Sequence, residues 1–223
     1  MSKKQYLHLT PEAIKILKKN GCWSRHWEKV KVSKGFDPTR IAGTIFRGDV
    51  NIGSLDGYFT PKDGIRRYAG IFDANLHNVS IGDDCHISNI NGWLSNLNIK
   101  KNVLIENVGS IVCQGETAFG NGHRIEVLNE GGGRELKITE VTSAQIAYLS
   151  TLYRHDPELI KALDDIADKY ADSVRSDRAT IGKGTKIFHC QNLVNVNIGP
   201  GAILRGVQNL KEGSIASSPD AST

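Results

Sequence analysis

The chain has 223 residues, enough for one well-buried core with an appendage and too few for three independent domains. Lys and Arg outnumber Asp and Glu by only 28 to 24 and are scattered, so a nucleic-acid-binding surface is not expected. No stretch approaches the roughly 18 apolar residues that span a bilayer, and the N-terminus lacks an apolar signal-peptide core. We therefore expect a cytoplasmic protein with no membrane partner. The four cysteines form no Cys-x-x-Cys pair, which indicates reduced, buried thiols.

The first predicted element is a short helix near residue 11. Thr10 is a favourable N-cap, Pro11 suits the first helical position, and Ile14 and Leu17 supply apolar positions before Gly21. We predict that residues 1–40 form a helical cap. This cap would cover the open end of the structure that follows and protect its strand edges from aggregation.

A repeat of eighteen residues follows the cap. Residues 78–95, NVSIGDDCHISNINGWLS, align without gaps on residues 96–113, NLNIKKNVLIENVGSIVC. Apolar positions match apolar positions, and the matched pairs are Val79 with Leu97, Ile81 with Ile99, Cys85 with Val103, Ile87 with Ile105 and Ile90 with Val108. The same phrase returns at residues 179–182 and 196–199, with a fainter copy at residues 50–53.

This spacing predicts an all-β-dominated solenoid. Inward side chains about six residues apart are too sparse for a helix and fit short strands separated by tight turns. Three six-residue segments would make one triangular coil, whose strands pair with those of the coils above and below. Gly82, Gly182 and Gly199 share one phase, which predicts corners with a positive φ. Asn89 and Asn107 also align, which predicts side-chain hydrogen bonds between coils.

A helical segment interrupts the repeat. Residues 141–174 carry helical spacing, and Asp156 followed by Pro157 starts a second helix, so we predict an inserted helical hairpin. The expected division of the chain is residues 1–40 as the cap, 41–128 as the first β-coils, 129–178 as a glycine-rich loop with the helical insertion, 179–211 as further β-coils and 212–223 as a tail.

The repeat resembles that of bacterial hexapeptide-repeat proteins, and this resemblance implies a left-handed parallel β-helix that forms trimers. Three blocks narrow the resemblance to a family of long bacterial β-helix proteins that is defined as a domain of unknown function. The blocks are residues 64–70 (GIRRYAG), residues 119–122 (FGNG) with 127–135 (VLNEGGGRE), and residues 153–155 (YRH) with 176–178 (SDR). Because members of that family are much longer, the resemblance implies that this chain is a piece of a longer protein.

Histidines are the first candidates for chemistry. In the hexapeptide-repeat acyltransferases that the chain resembles, a histidine on the coil surface deprotonates the acceptor. The candidates here are His77, His86, His123 and His189. The alignment places His77 at the position of Ser95 and His86 at that of Leu104, so we expect both to point outward. Another branch of that fold binds zinc with three histidines, but the spacing differs here and no metal site is expected.

A glycine-rich segment at residues 129–135 is the second candidate. Three consecutive glycines let the backbone approach a ligand, and an arginine there could bind a phosphate or a carboxylate. The alternative is a loop that needs glycine only for its path. The predicted ligand-binding residues are Arg66, Arg67, Asn129, Glu130, Gly131, Gly132, Gly133, Arg134, Glu135, Tyr153 and Arg154, with His155 and His123 as catalytic candidates.

Two functions are consistent with these features. The first is a transferase or ligand-binding protein that acts on sugars or nucleotide sugars; an enzyme of this kind would be a hexapeptide-type acyl- or nucleotidyl-transferase. The second is a non-catalytic β-helix scaffold for homo-oligomer assembly or partner docking. An anionic small-molecule ligand is expected in the first case, and the sequence identifies no cofactor.

Overall fold

The protein consists mostly of β-strands with a few helices. A computed structural model describes residues 5–61, 64–126, 131–133 and 135–218. The strands in these ranges are β1 (Tyr6–His8), β2 (Trp23–Ser24), β3 (Val30–Ser33), β4 (Ile41–Ala42), β5 (Ile45–Arg47), β6 (Val50–Ile52), β7 (Tyr58–Phe59), β8 (Arg67–Tyr68), β9 (Gly70–Phe72), β10 (Asn75–Ile81), β11 (His86–Ile90), β12 (Leu94–Ile99), β13 (Leu104–Val108), β14 (Ser110–Val112), β15 (His123–Ile125), β16 (Leu136–Ile138), β17 (Ala179–Ile181), β18 (Lys186–Phe188), β19 (Asn192–Ile198), β20 (Ile203–Arg205) and β21 (Asn209–Ile215). The α-helices are α1 (Pro11–Lys19), α2 (Ala144–Leu152) and α3 (Pro157–Val174), and 3-10 helices lie at Trp27–Lys29 and Pro38–Arg40.

Most strands belong to two sheets with parallel pairing. The larger sheet has eleven strands and follows the order β1-β3-β6-β10-β12-β14-β19-β17, with β2, β5 and β21 joined at its sides. The smaller sheet has six strands in the order β20-β18-β13-β11-β9-β4. Only the β1–β3 pair of these sheets is antiparallel among the described residues. Two separate antiparallel hairpins, β7–β8 and β15–β16, lie outside the sheets.

The strand register confirms the repeat that the sequence predicts. Val79 pairs with Leu97 and Ile81 with Ile99 in the larger sheet, while Ile87 pairs with Ile105 in the smaller sheet. Side chains alternate along each strand, so the apolar members of these pairs face one interior. The buried cluster that results includes Leu76, Val79, Ile87, Leu97 and Ile105, each fully buried.

Asparagines occupy many of the bends between strands. Asn78, Asn89, Asn96 and Asn107 have φ between 52° and 55°, in the left-handed region that Asn tolerates better than most residues. The Nδ2 of Asn89 donates to Oδ1 of Asn107 at 3.0 Å, and Asn78 donates to Asn96 at 3.2 Å. The predicted hydrogen bonds between stacked asparagines are therefore present. His189 continues one of these ladders, with φ 53° and its Nδ1 3.4 Å from Nδ2 of Asn107.

Glycines in the repeat have a different role from the predicted one. None of Gly82, Gly182 and Gly199 has a positive φ. Instead, a Cβ added to Gly182 would lie 2.4 Å from the carbonyl carbon of Gly199, and one added to Gly82 would lie 2.6 Å from that of Lys100. The prediction of left-handed corners at these positions is wrong, because the backbones of stacked repeats approach each other there too closely for any side chain.

Both predicted helical segments are present. The hydroxyl of Thr10 accepts a hydrogen bond from the backbone N–H of Ala13, which caps α1. The carboxylate of Asp156 accepts from the backbone N–H groups of Glu158 and Leu159 and so caps α3. None of the helices in the described ranges combines the length and the apolar character that crossing a membrane requires.

The repeat resumes after the helical insertion. Ile99 of β12 pairs with Ile181 of β17, so strands on the two sides of the insertion are direct neighbours. Within the insertion, α3 packs on the β15–β16 hairpin, and Lys137 Nζ lies 2.7 Å from a carboxylate oxygen of Asp168. The insertion therefore leaves the stacking of the strands unbroken.

Candidate functional site

An arginine holds the glycine-rich segment in place. Arg154 Nε donates to the carbonyl of Gly133 and Nη2 to that of Glu135, each at 2.9 Å. The Glu135 carboxylate lies 3.7 Å from the same guanidinium and accepts from the Gly133 backbone N–H at 2.9 Å. Arg154 therefore uses these donors to fix the segment that contains Gly131, Gly132 and Gly133. Three further predicted positions, Asn129, Glu130 and Arg134, lie outside the described residues.

Of the two predicted catalytic histidines, His155 lies in the predicted insertion and His123 lies just before it in the chain. His155 follows α2, and its ring centroid lies 6.1 Å from that of Tyr153. His123 begins β15 and pairs with Ile138 of β16, with an exposed side chain. A shared catalytic role for these histidines stays a prediction.

Arg66 and Arg67 are neighbours in sequence with separate surroundings. The guanidinium of Arg66 lies 4.6 Å from the ring centroid of Tyr58. Arg67 Nε donates to the Glu106 carboxylate at 2.6 Å, and Nη1 donates to the Ile65 carbonyl at 2.9 Å. The side chains of this ion pair are 16% and 18% exposed, so Arg67 fastens the β7–β8 hairpin to β13. Anion binding by Arg66 and Arg67 stays a prediction.

His86 is covered by the same hairpin. Its Nδ1 donates to the carbonyl of Tyr68 at 2.7 Å, which leaves Nε2 to accept from the hydroxyl of Ser88 at 3.0 Å. His86 lies on the outward side of β11, since the adjacent Ile87 is fully buried in the interior, but the hairpin covers His86 and leaves it 8% exposed. Burial lowers the pKa of His86 below its ordinary value.

This burial predicts a pH-dependent stability. As pH falls below about 6.5, the unfolded state takes up the proton before the folded state does, so the free energy of unfolding decreases until the folded pKa is reached. For one proton the slope is at most about 1.4 kcal/mol per pH unit. His86→Leu, which copies Leu104 of the next repeat, should remove this slope. Urea unfolding between pH 5 and pH 7.5 measures it, and equal slopes for both proteins would contradict the prediction.

Three neighbouring strands, β5, β10 and β12, carry a row of polar side chains on the outer side of the larger sheet. The register of β5, β10 and β12 sets Arg47 beside His77 and His77 beside Ser95. These side chains lie on the outer side of the sheet, because the adjacent Phe46 and Leu76 are fully buried. His77 Nδ1 lies 2.9 Å from Ser95 Oγ, so the two side chains are hydrogen-bonded.

An open groove of about 430 Å³ runs beside this row. Trp93 is half-buried at its wall, and the guanidinium of Arg47 lies 4.8 Å from the Trp93 ring centroid. At one edge, the backbone of Gln114 is fixed by Asn195, whose Oδ1 accepts from the Gln114 N–H at 2.6 Å. The lining side chains are those of Arg47, His77, Trp93, Ser95, Asn96, Val112, Cys113 and Gln114.

A second cavity of about 400 Å³ adjoins this groove at Arg47. Its lining includes Trp23, Arg25 and His26, and the Trp23 side chain is 50% exposed. His26 is paired with Glu28 at 2.9 Å. The two cavities together present indole rings, guanidinium groups and hydrogen-bonding side chains on one side of the molecule. We call the first cavity the Trp93 groove.

The Trp93 groove contains residues that the sequence analysis missed, namely Arg47, Trp93, Ser95 and Gln114. A signal for Arg47 exists in the faint repeat copy at residues 50–53. Extending that copy backwards along the chain would have brought Arg47 close to the position of His77. In the part of the chain that the structure describes, no cluster of three or more His, Cys, Asp or Glu residues could hold a metal ion.

Comparisons with known proteins give a family and a longer relative. The sequence profile of the domain of unknown function DUF4954 matches residues 6–223. An uncharacterized protein of Treponema pallidum (strain Nichols) is 25% identical over 221 residues. That alignment covers 94% of this chain and 30% of the relative, so the chain spans less than a third of the length of the curated protein it matches. No solved structure shows a significant match.

Proposed function

The chain belongs to the DUF4954 family, and we propose that it is a left-handed parallel β-helix that binds a sugar or a nucleotide sugar in the Trp93 groove. The parallel register at intervals of eighteen residues supports the solenoid, and the resemblance to hexapeptide-repeat proteins supplies the handedness. The division into cap, two sets of β-coils, insertion and tail is part of this proposal.

The observation that carries the ligand is an indole ring beside hydrogen-bonding side chains in one groove. A sugar has an apolar face of C–H groups and a rim of hydroxyls. Trp93 can cover the apolar face, while His77, Ser95 and Gln114 can exchange hydrogen bonds with the hydroxyls. Ligand sites commonly combine aromatic surface with a few directed polar groups in this way.

The His77–Ser95 pair would also permit transfer chemistry. The hydrogen bond between Nδ1 and Ser95 Oγ orients the imidazole. An oriented neutral imidazole can act as a general base toward a sugar hydroxyl bound in the groove. The groove would then serve an acyl- or nucleotidyl-transfer reaction. Binding is the requirement shared by the transferase and by a ligand-binding protein, so it is tested first.

Trp93→Ala should abolish most of the binding. The protein is screened by thermal shift against hexoses, hexose phosphates and UDP-glucose, because a ligand that binds only the folded state raises the melting temperature. Any hit is then measured by titration calorimetry. Loss of the indole should weaken binding at least about tenfold, and Trp93→Phe should retain part of the affinity. A hit whose affinity is equal in Trp93→Ala would place the ligand elsewhere.

A scaffold function is the second candidate, and the exposed apolar surface of α2 favours it. Tyr148, Leu149 and Leu152 of α2 are 63%, 45% and 51% exposed. A helix with apolar residues on all sides is normally buried. Because α2 contains no charged residue, two copies of the chain could pack through it without charge repulsion.

The two functions have opposite signatures in a crossed experiment. Leu149→Ser with Leu152→Ser should shift a concentration-dependent oligomer to monomer in light scattering and leave sugar binding unchanged. Trp93→Ala should do the reverse. A protein that is monomeric at all concentrations and binds no sugar would count against both functions.

A further inference from the structure

We propose that the Trp93 groove selects sugars that carry an anionic group, a carboxylate or a phosphate, and that Arg47 is the residue that selects them. This inference rests on the proposed sugar-binding function and adds the charge class of the ligand. It is carried by the position of Arg47 over the indole ring and by a second guanidinium in the adjoining cavity.

Arg47 covers the surface that a sugar ring needs. Its guanidinium lies 4.8 Å from the ring centroid of Trp93, which is cation–π distance. The Arg47 side chain is exposed, and no carboxylate pairs with it in the described parts of the chain. A sugar that stacks on this face of Trp93 must displace Arg47 from the ring.

The charge of the ligand determines whether Arg47 gains a new interaction when it leaves the Trp93 ring. A cation–π contact at an exposed site is weak, whereas a guanidinium bound bidentately to a carboxylate or a phosphate makes two charge-assisted hydrogen bonds. A neutral sugar removes the cation–π contact between Arg47 and Trp93 and gives Arg47 no charged partner in its place. An anionic sugar exchanges it for the stronger one, so Arg47 favours anionic ligands and disfavours neutral ones.

The surroundings of Arg47 give the ligand a direction. Arg25 lines the adjoining cavity with Arg47, so positive charge is concentrated at that end of the groove. His77, Ser95 and Gln114 lie in the groove itself and suit hydroxyl groups. The anionic group would therefore point toward Arg47 and Arg25, with the sugar ring against Trp93.

Binding of a matched pair of sugars tests the selection. D-glucuronate and D-glucose differ only in the oxidation state of C6, and each is titrated calorimetrically into the full chain at low ionic strength. We expect glucuronate to bind at least about tenfold more tightly than glucose. Arg47→Gln should remove this preference. Arg205→Gln is the matched control, because the Arg205 guanidinium also lies over an aromatic ring, 4.7 Å from the Phe188 centroid, but outside the groove, and it should retain the preference.

A third sugar, glucose 6-phosphate, identifies the anion. Tighter binding of either anionic sugar than of glucose, lost in Arg47→Gln, supports the inference, and the tighter of the two names the preferred group. Equal binding of glucose and both anionic sugars would overturn the inference and leave the proposed function standing. Absence of binding by all three and by UDP-glucose would overturn the proposed function as well.

Discussion

Replacing Gly182 by alanine is expected to lower the free energy of unfolding by about 3 kcal/mol, at the upper end of the usual range for overpacking. The added Cβ would lie 2.4 Å from the carbonyl carbon of Gly199 and 2.4 Å from the nitrogen of Pro200. The backbone on both sides is held by hydrogen bonds between repeats, since the Gly182 N–H donates to the Ile198 carbonyl at 2.7 Å and the Gly199 N–H donates to the Ile215 carbonyl at 2.8 Å. Neither side can move away without breaking that pairing.

Gly213 supplies the control for this substitution. It lies in β21 of the same sheet, has no positive φ, and an added Cβ there would meet no atom within 4 Å. Gly213→Ala should therefore leave stability nearly unchanged. Urea unfolding followed by circular dichroism measures both variants. Equal midpoints for Gly182→Ala and the unmodified protein would show that the close approach of the two backbones is not real.

Replacing Arg67 by methionine is expected to cost about 2 kcal/mol and to loosen the β7–β8 hairpin. Methionine keeps much of the apolar stem but leaves the Glu106 carboxylate partly buried without its cation, and it loses the hydrogen bond from Arg67 to the Ile65 carbonyl. Removing one partner of a fully buried ion pair costs about 3–5 kcal/mol. The value here is smaller because both side chains keep some exposure to water.

Arg66 is the control for Arg67, because the two arginines are adjacent in sequence. Arg66→Met should change stability by less than about 0.5 kcal/mol, as expected for an exposed side chain. Adding Glu106→Gln to Arg67→Met should recover part of the loss, because it removes the unpaired charge. Hydrogen exchange at Tyr68 and Ala69 reports on the hairpin directly. Unchanged exchange in Arg67→Met would mean that other contacts hold it.

Local signals in the sequence predicted the repeat and the helices well. Matching Val79 with Leu97 gave the strand register, because a buried position must be apolar in every repeat. Thr10 and Asp156 marked the starts of α1 and α3, because an N-cap acts on N–H groups only two or three residues away. Asn89 and Asn107 were paired correctly for the same reason as the apolar residues.

Contacts between residues that do not follow the eighteen-residue interval could not be predicted from the repeat. The repeat phase predicts a positive φ at Gly182, but the reason for glycine there is a neighbouring backbone from the next repeat. The partner of Arg67 lies 39 residues away on another sheet. The Trp93 groove forms because β5 stacks on β10 across the segment that contains the β7–β8 hairpin, so Arg47 and His77 do not follow the interval of eighteen residues.

The helical insertion also determines how the chain can fold. Asn89 meets Asn107 after 18 residues, whereas Asn107 meets His189 only after 82. Each doubling of a flexible loop adds about 0.6 kcal/mol to the entropy cost of closing it, so this contact costs about 1.3 kcal/mol more than its neighbour. Strands before the insertion and strands after it can each assemble from local contacts. The pairing between these two sets of strands forms more slowly, because it requires closure of the long loop. If α2, α3 and the β15–β16 hairpin form first, fewer residues of that loop remain flexible. Early folding of the insertion would therefore lower the entropy cost of joining the two sets of strands.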